Sequence, residues 1–422
     1  MTTPPSGETP PPFSSRRRFL QTSATAGLTL SGLGWAGASS ASPPGVVSAS
    51  TSRGLIRPPE AGELGIPGPY PGRVVEVHNP AMSVNRVKNR DAIGKTLDRV
   101  MTELTGADAA IDAWRRFFEP GDVVGVKMNP VGNPLANSSA ELMLAVIERL
   151  REVGIKPADI VVFERYKSEF LNAKMHEAVP DGITWGGLTP SNDPTQLEVD
   201  FQDDLWGYDP DEFVEMDIVH HGFDPKDDRT RRSHLGKLVT RRVNKLVLLP
   251  VLKDHGSAGV TGALKNMSHG LVNNVARSHS TPQTNVCNYF IPSIVRHPVI
   301  RSKCVLQILD GIIGVYQGGP FAHAENAKWT WEANTLFAAT DPVALDMVEW
   351  KRIDAKRKEM GLAPVGAVGR LGADAEREGF DIRQPQHIVL AGNLGLGRFE
   401  FDSPRGRRNS IDHRIVTIDP TA

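Results

Sequence analysis

Residues 248–270 read LLPVLKDHGSAGVTGALKNMSHG, and the rest of the chain is organised around this stretch. The apolar β-type run 246–249 stops at Pro250, which has no N–H for a ladder, so a strand terminus is expected there. Lys253, Asp254 and His255 follow just past that end. Gly256, Gly259 and Gly262 then allow a loop with positive φ whose backbone N–H groups can approach a ligand closely. Thr261 is placed to cap a helix starting near Ala263. In that helix Thr261, Lys265 and His269 recur every fourth residue and share one face. A strand end, a glycine loop and a helix N-terminus carrying Lys and His make an anion site.

Outward from this stretch, the pattern alternates strand and helix. The run 73–78 alternates as a strand, and 89–105 carries Ile93, Leu97, Val100, Met101 and Leu104 at helical spacing. A buried strand over 122–127 ends in Lys127 and Asn129; a helix over 139–153 with Ser139 as cap follows, then a strand over 160–163 leading to Glu164 and Arg165. Strand–helix–strand in this order predicts a parallel unit, whose ligands sit outside the carboxyl ends of the strands. Past the central stretch come a short helix within 291–300, a strand over 304–310 ending in Asp310, and a turn-rich loop through Gly311, Gly314, Gly318, Gly319 and Pro320. A strand over 334–340 runs into Asp341 and Pro342, which open a helix to about Lys358. The run 388–391 reads as a late strand. The expected fold is α/β: an open, mostly parallel sheet flanked by helices, with an irregular acidic insertion near 190–235.

In that insertion, residues 193–228 hold thirteen acidic side chains and one basic one, Lys226. Seven basic and no acidic residues follow between Arg229 and Lys245. Such runs read as solvated faces, with a segment that covers the pocket or docks a partner as the functional alternative.

Four strand ends thus offer polar groups: Lys127 with Asn129, Lys253 with His255, Asp310, and Asp341. On one sheet they would converge, with Lys265 and Asn266 entering from the helix after the loop formed by Gly259, Thr261 and Gly262. Three lysines around such a loop favour a phosphate, nucleotide or multi-carboxylate ligand. Lys253 and His255 are the candidate catalytic pair, His255 as general acid/base or electrostatic donor. Lys127, Asn129, Gly259, Thr261, Gly262, Lys265, Asn266, Asp310 and Asp341 are candidate ligand-binding residues, with local capping and turn roles as the alternative for Asp310 and Asp341. The loop matches neither GxxxxGK[ST] nor GxGxxG, which disfavours ordinary nucleotide and dinucleotide binding. A metal site from His255, His269 and Asp254 or Asp310 is the second reading; it has no HExxH-type motif, and the lysines oppose a divalent ion.

Segments of this pattern carry a family resemblance. KDHGSAGVTGALKN at 253–266, VKMNP at 126–130, LDG at 309–311 leading to GGP at 318–320, and DPVALD at 341–346 are similar to the "domain of unknown function 362" family. The resemblance spans roughly 120–350 and implies a fold and a site, without a reaction or a named cofactor. Members fused to ferredoxin-like cysteine motifs imply redox company and a redox partner protein. This chain departs from them: Cys287 and Cys304 are its only cysteines, too few for a four-thiolate cluster, and they are expected to be buried free thiols.

Length and composition fit a soluble globular chain of 422 residues, 40% hydrophobic and 23% charged. A net charge of −1 gives no pull toward nucleic acid or anionic membrane. The segment SRRRFLQ at 15–21 resembles the twin-arginine export motif, and a Gly/Ala/Ser/Thr-rich apolar run to about Ala36 precedes small residues at 36–41. That run is too short and weak for a membrane span. Residues 1–41 therefore read as a twin-arginine signal recognised by the export machinery, 42–72 as a Pro/Gly/Ser-rich linker or surface arm, and 73–422 as the α/β domain, exported to the periplasm or beyond. Two classes of function stay open, an exported enzyme acting on an anionic small molecule or cofactor and a non-catalytic accessory protein that delivers one.

Overall fold

The computed structural model describes residues 63–191, 197, 203–279, 286–322, 324–366 and 385–419. The signal at 1–41, most of the 42–72 linker and part of the 190–235 insertion lie outside these residues. In chain order, β1 (Arg73–His78) is followed by a small hairpin of β2 (Ser83–Val84) and β3 (Val87–Lys88), then by α1 (Arg90–Thr105) and α2 (Ala110–Trp114). Next come β4 (Val124–Lys127), α3 (Ala140–Val153), β5 (Ile160–Tyr166), α4 (Lys167–Asn172) and β6 (Thr184–Thr189). The insertion supplies β7 (Tyr208–Glu215), α5 (Asp228–Arg231) and β8 (Arg232–Gly236). The central stretch forms β9 (Lys245–Leu248), β10 (Val251–His255), β11 (Gly259–Val260) and α6 (Gly262–Gly270). The remainder is α7 (Cys287–Val295), α8 (Pro298–Lys303), β12 (Cys304–Val315), β13 (Thr330–Ala339), α9 (Pro342–Glu359), α10 (Gln386–Asn393) and β14 (Asp412–Thr417).

Ten strands share one sheet in the order β14-β1-β13-β12-β9-β4-β5-β6, with β10 alongside β12 and β11 hairpinned onto β10. Pairing is parallel from β12 through β9, β4 and β5 to β6, and β13 runs antiparallel to both β12 and β1. This is the mostly parallel α/β sheet expected. Successive residues of β1 go to opposite faces: Val75 and Val77 join α1, α2 and α3 in one core, while Val74 joins α6 to α10 in the other. The sheet is therefore covered on both sides, as parallel sheets require.

Several local expectations change. The strand does not stop for good at Pro250; it resumes at Val251 after a break of two residues, 249–250, and the Pro250 carbonyl accepts from Asp310 N at 2.8 Å. Lys253, Asp254 and His255 consequently lie inside a strand instead of past its end. β12 is twelve residues long, so Asp310 sits mid-strand and Gly311 and Gly314 belong to the ladder, with a register shift near Gly311. The 388–391 run is helical within α10, because His387, Ile388 and Ala391 bury one face. The end of the linker is anchored: Ile66 is fully buried and its N–H donates to Arg301 O.

The charge runs of the insertion pair with each other. Glu215 binds Arg231 and Arg232, and Asp209 holds Arg241 through two oxygens. β7 and β8 form a separate two-stranded sheet, so the acidic run folds back on the basic one.

Candidate functional site

Backbone geometry around the 256–264 segment decides what kind of anion site is possible. Gly256 N donates to Gly319 O, Thr261 N to Lys253 O, and Ser257 N and Ala258 N to His255 Nδ1 at 3.0 and 3.1 Å. At the start of α6, Ala263 N and Leu264 N donate to the two carboxylate oxygens of Asp346 at 2.6 and 2.9 Å, and Gly262 N to Glu349. The helix N-terminus is thus capped by a buried carboxylate from α9, not by Thr261, whose side chain makes no capping bond. Gly262 is required here: its φ is +50° and a Cβ would fall 2.3 Å from the Asp346 carboxylate. The expected backbone anion cradle of Gly259 and Gly262 does not form; the segment is a closed hairpin and helix start with its donors spent internally.

Side chains assemble what the backbone does not. A cavity of about 530 Å³ is lined by Lys127, Asn129, Lys253, His255, Thr261, Lys265 and Asn266. Seven of the eleven candidate residues therefore meet in one place, contributed by β4, β10 and α6. Thr261, Lys265 and His269 all reach it, as the spacing of four implies. The other four do not line it. Asp310 accepts from Ser139 N, Ser139 Oγ and Ile312 N, which ties α3 to β12. Asp341 accepts from Val343 N, Ala344 N, Gly72 N and Arg398 N and caps α9. Gly259 sits in the β10–β11 ladder opposite His255, and Gly262 under Asp346.

Sequence reasoning missed Glu164, Arg165, Tyr166 and Glu169 as site residues; the first three form the carboxyl end of β5, Glu169 lies in α4, and all four line the same wall. Their place at or just past the end of a parallel strand beside β4 was the available signal. Glu164 Oε2 accepts from Lys127 Nζ at 2.8 Å, in a pair whose side chains are 6% and 2% exposed. Burial pulls the Lys127 ammonium down and Glu164 holds it partly up. Lys127 occupies the space a Cβ at Gly270 would take, 2.7 Å from its Nζ. Arg165 donates to His269 O and Tyr166 Oη, and its guanidinium lies 4.1 Å from the Tyr166 ring centre.

Lys253 differs from Lys127. It is fully buried, and its Nζ donates to the neutral Asn129 Oδ1 at 2.9 Å. Among the described residues neither Lys253 nor the half-buried Lys265 forms a salt bridge. Burial, and then the neighbouring Lys265 charge, push the Lys253 ammonium down from 10.5 to about 7. Burial brings Lys265 to about 8. Glu169 is raised to about 7, by burial first and by Glu164 next. Three groups in one cavity therefore change charge near neutrality, a pattern that marks functional sites.

The His255 Nδ1 lone pair is committed to Ser257 N and Ala258 N, which fixes the ring proton on Nε2 and makes that atom a donor. Of the two roles expected for His255, this geometry favours the donor. The metal alternative does not assemble. Both nitrogens of His269 are engaged by Ser268 and Ser278 hydroxyls, Asp254 Oδ1 accepts from Gly319 N, and Asp310 is elsewhere. Among the described residues no three metal-ligating side chains converge. Cys287 and Cys304 are buried free thiols. No helix of the described residues is long and apolar enough to cross a membrane.

Comparison with known proteins adds the following. The profile of a family described as domain of unknown function (DUF362) matches residues 124–351, which carry β4 through the first half of α9 and so most of the cavity wall. No curated protein matches significantly. Among solved structures, a crystal structure of a Thermotoga maritima protein aligns at 12% identity and a TM-score of 0.30, over 53% of this chain. The match spans about half the length of that protein, 50%.

Proposed function

The chain belongs to the DUF362 family, and we propose that it binds a small organic anion in the β4–β10–α6 cavity, with Lys253 and Lys265 as the charges that meet it. The single observation that carries this reading is the Lys253 ammonium, buried without a carboxylate partner beside a second lysine. A charge buried in this way lowers stability unless something compensates it, and an incoming carboxylate or phosphate is the compensation the cavity has room for. Arg165 and the His255 Nε2 donor add to the positive lining, and Glu169, near its titration point, can take a proton when the anion enters.

Thermal shift with the mature chain tests the reading. A bound anion raises the melting temperature by mass action, roughly 3 kcal/mol of added stability at a hundredfold excess over Kd. The shift should vanish in Lys253→Met and Lys265→Met; an undiminished shift in both variants refutes it.

The same residues bear on enzyme against accessory protein. An amine with its pKa near 7 and a fixed His N–H donor can move a proton or polarise a carbonyl at neutral pH. Turnover in the parent that is lost in a His255→Ala variant still able to bind the anion identifies an enzyme; anion binding with no turnover in the parent identifies an accessory role. Export by the twin-arginine route is our reading of SRRRFLQ at 15–21, which also leaves room for a redox partner outside the cytoplasm. Fractionation of cells expressing the full chain and an Arg16→Lys, Arg17→Lys variant checks it: the parent reaches the extracytoplasmic fraction and the variant stays inside, and equal distribution refutes the route.

A further inference from the structure

We propose that the ligand of this cavity carries a hydroxyl or amino donor close to its acidic group, as hydroxy-carboxylates, amino-carboxylates and hydroxyl-bearing phosphate esters do. This rests on the anion reading above and adds a second recognition element to it. Two residues that line the cavity, Asn266 and Thr261, carry buried polar atoms, Oδ1 and Oγ1, that have no hydrogen-bond partner among the described residues. Asn266 is 5% exposed and Thr261 4% exposed, so neither atom is answered by bulk water. A buried acceptor left without a donor is costly, and most such atoms in folded proteins are satisfied.

Nothing nearby in the chain supplies the donor. Lys127 Nζ and Asn266 Oδ1 both lie near Gly270: the point a Cβ there would occupy is 2.7 Å from the one and 3.9 Å from the other. The Lys127 ammonium donates to Glu164 Oε2 and Met128 O, each at 2.8 Å, and makes no bond to Asn266 Oδ1. Backbone N–H groups of the neighbouring turn are spent on His255, Lys253 O and Asp346. Lys253 and Lys265 attract the acidic end of a ligand, whereas an amide oxygen repels it. Oδ1 can be satisfied only by a group that brings a hydrogen, and the Thr261 hydroxyl can accept from or donate to the same group. Asn266 follows Lys265 directly, and Thr261 lies one helical turn before it, so acid and donor would sit on adjacent parts of one small molecule.

The test compares ligands that differ only in the donor: malate with succinate, lactate with propionate, and glycerol 3-phosphate with propyl phosphate. Affinities are measured by calorimetry on the mature chain at pH 7. The donor-bearing member of at least one pair should bind roughly tenfold tighter or more. That ratio should fall toward one in Asn266→Leu and in the near-isosteric Thr261→Val. Equal affinities within every pair that binds overturn the donor requirement and leave the anion reading standing. Absence of binding by all six compounds at millimolar concentration overturns both. The parent ratio decides the matter even if a variant fails to fold.

Discussion

Replacing Lys253 by Met should stabilise the ligand-free protein, and by an amount that depends on pH in a defined direction. The side chain is fully buried and its ammonium is pushed from 10.5 to about 7, by burial first and Lys265 next. Below pH 7 both folded and unfolded chains carry the proton, and the folded state bears the whole penalty, about 4–5 kcal/mol at 1.36 kcal/mol per pKa unit. Between pH 7 and 10.5 the folded chain has released the proton and the unfolded chain has not, so wild-type stability climbs with pH through that window. By pH 10 less than about 1 kcal/mol of the penalty remains. Met fills a similar volume without the charge but leaves Asn129 Oδ1 without its donor, a loss of about 1–2 kcal/mol. The net expectation is a gain of about 2–4 kcal/mol at pH 6.5 and none, or a small loss, at pH 10. Urea unfolding of both proteins at the two pH values measures this directly. A Met variant that is less stable than wild type at pH 6.5, by the same margin as at pH 10, refutes the claim that Lys253 is a buried charge without a salt-bridge partner.

Glu164→Ala has the opposite sign, because it strands a paired buried ammonium: about 3–5 kcal/mol of stability should be lost, seen as a lowered urea midpoint. A loss under 1 kcal/mol would mean the pair is solvated. Asp341→Ala removes the acceptor of four backbone N–H groups and should cost at least about 3 kcal/mol, yet leave anion affinity within twofold of the parent when calorimetry is run below its lowered melting point. A tenfold loss of affinity in that variant would return Asp341 to the ligand site.

The parts of the fold set by periodicity could be read from the chain. The α1 run from Arg90, with Asn89 accepting from Asp91 N and Ala92 N, and the β4–α3–β5 unit follow from apolar spacing and capping chemistry. The parallel order then placed Lys127 and Lys253 at one end of the sheet, and the spacing of four placed Lys265 with them. What could not be read were tertiary substitutions for local chemistry. Asp346, eighty-three residues from Ala263, caps α6 where Thr261 was expected to, because α9 packs against that helix start. The glycines of 256–262 signalled unusual backbone conformations correctly, since Gly259 and Gly262 have positive φ, but gave no hint that a hairpin and two carboxylates would absorb their neighbours' donors. Asp310 and Asp341 look like site residues in a string and are hinges of internal bonding in space. Pro250 interrupted a ladder without ending it: β10 pairs with β12 at Val251 and Lys253, and Lys253 N donates at 3.0 Å to a Glu349 side chain from α9. Glu164 and Glu169 entered the cavity wall unannounced because carboxylates after a strand are common on any surface.

In the proposed function Lys253 and Lys265 receive the ligand's negative charge. Calorimetric titration at pH 8, in two buffers of different ionisation enthalpy, with the tightest-binding acid of the six, tests it directly. Lys253 at about 7 and Lys265 at about 8 are then largely and half deprotonated in the free protein, and an anion beside them should restore their charge. The expected result is uptake of at least about one proton per anion bound, with affinity falling as pH rises from 7 to 9. Binding with no proton exchange and the same affinity at pH 7 and pH 9 would contradict it.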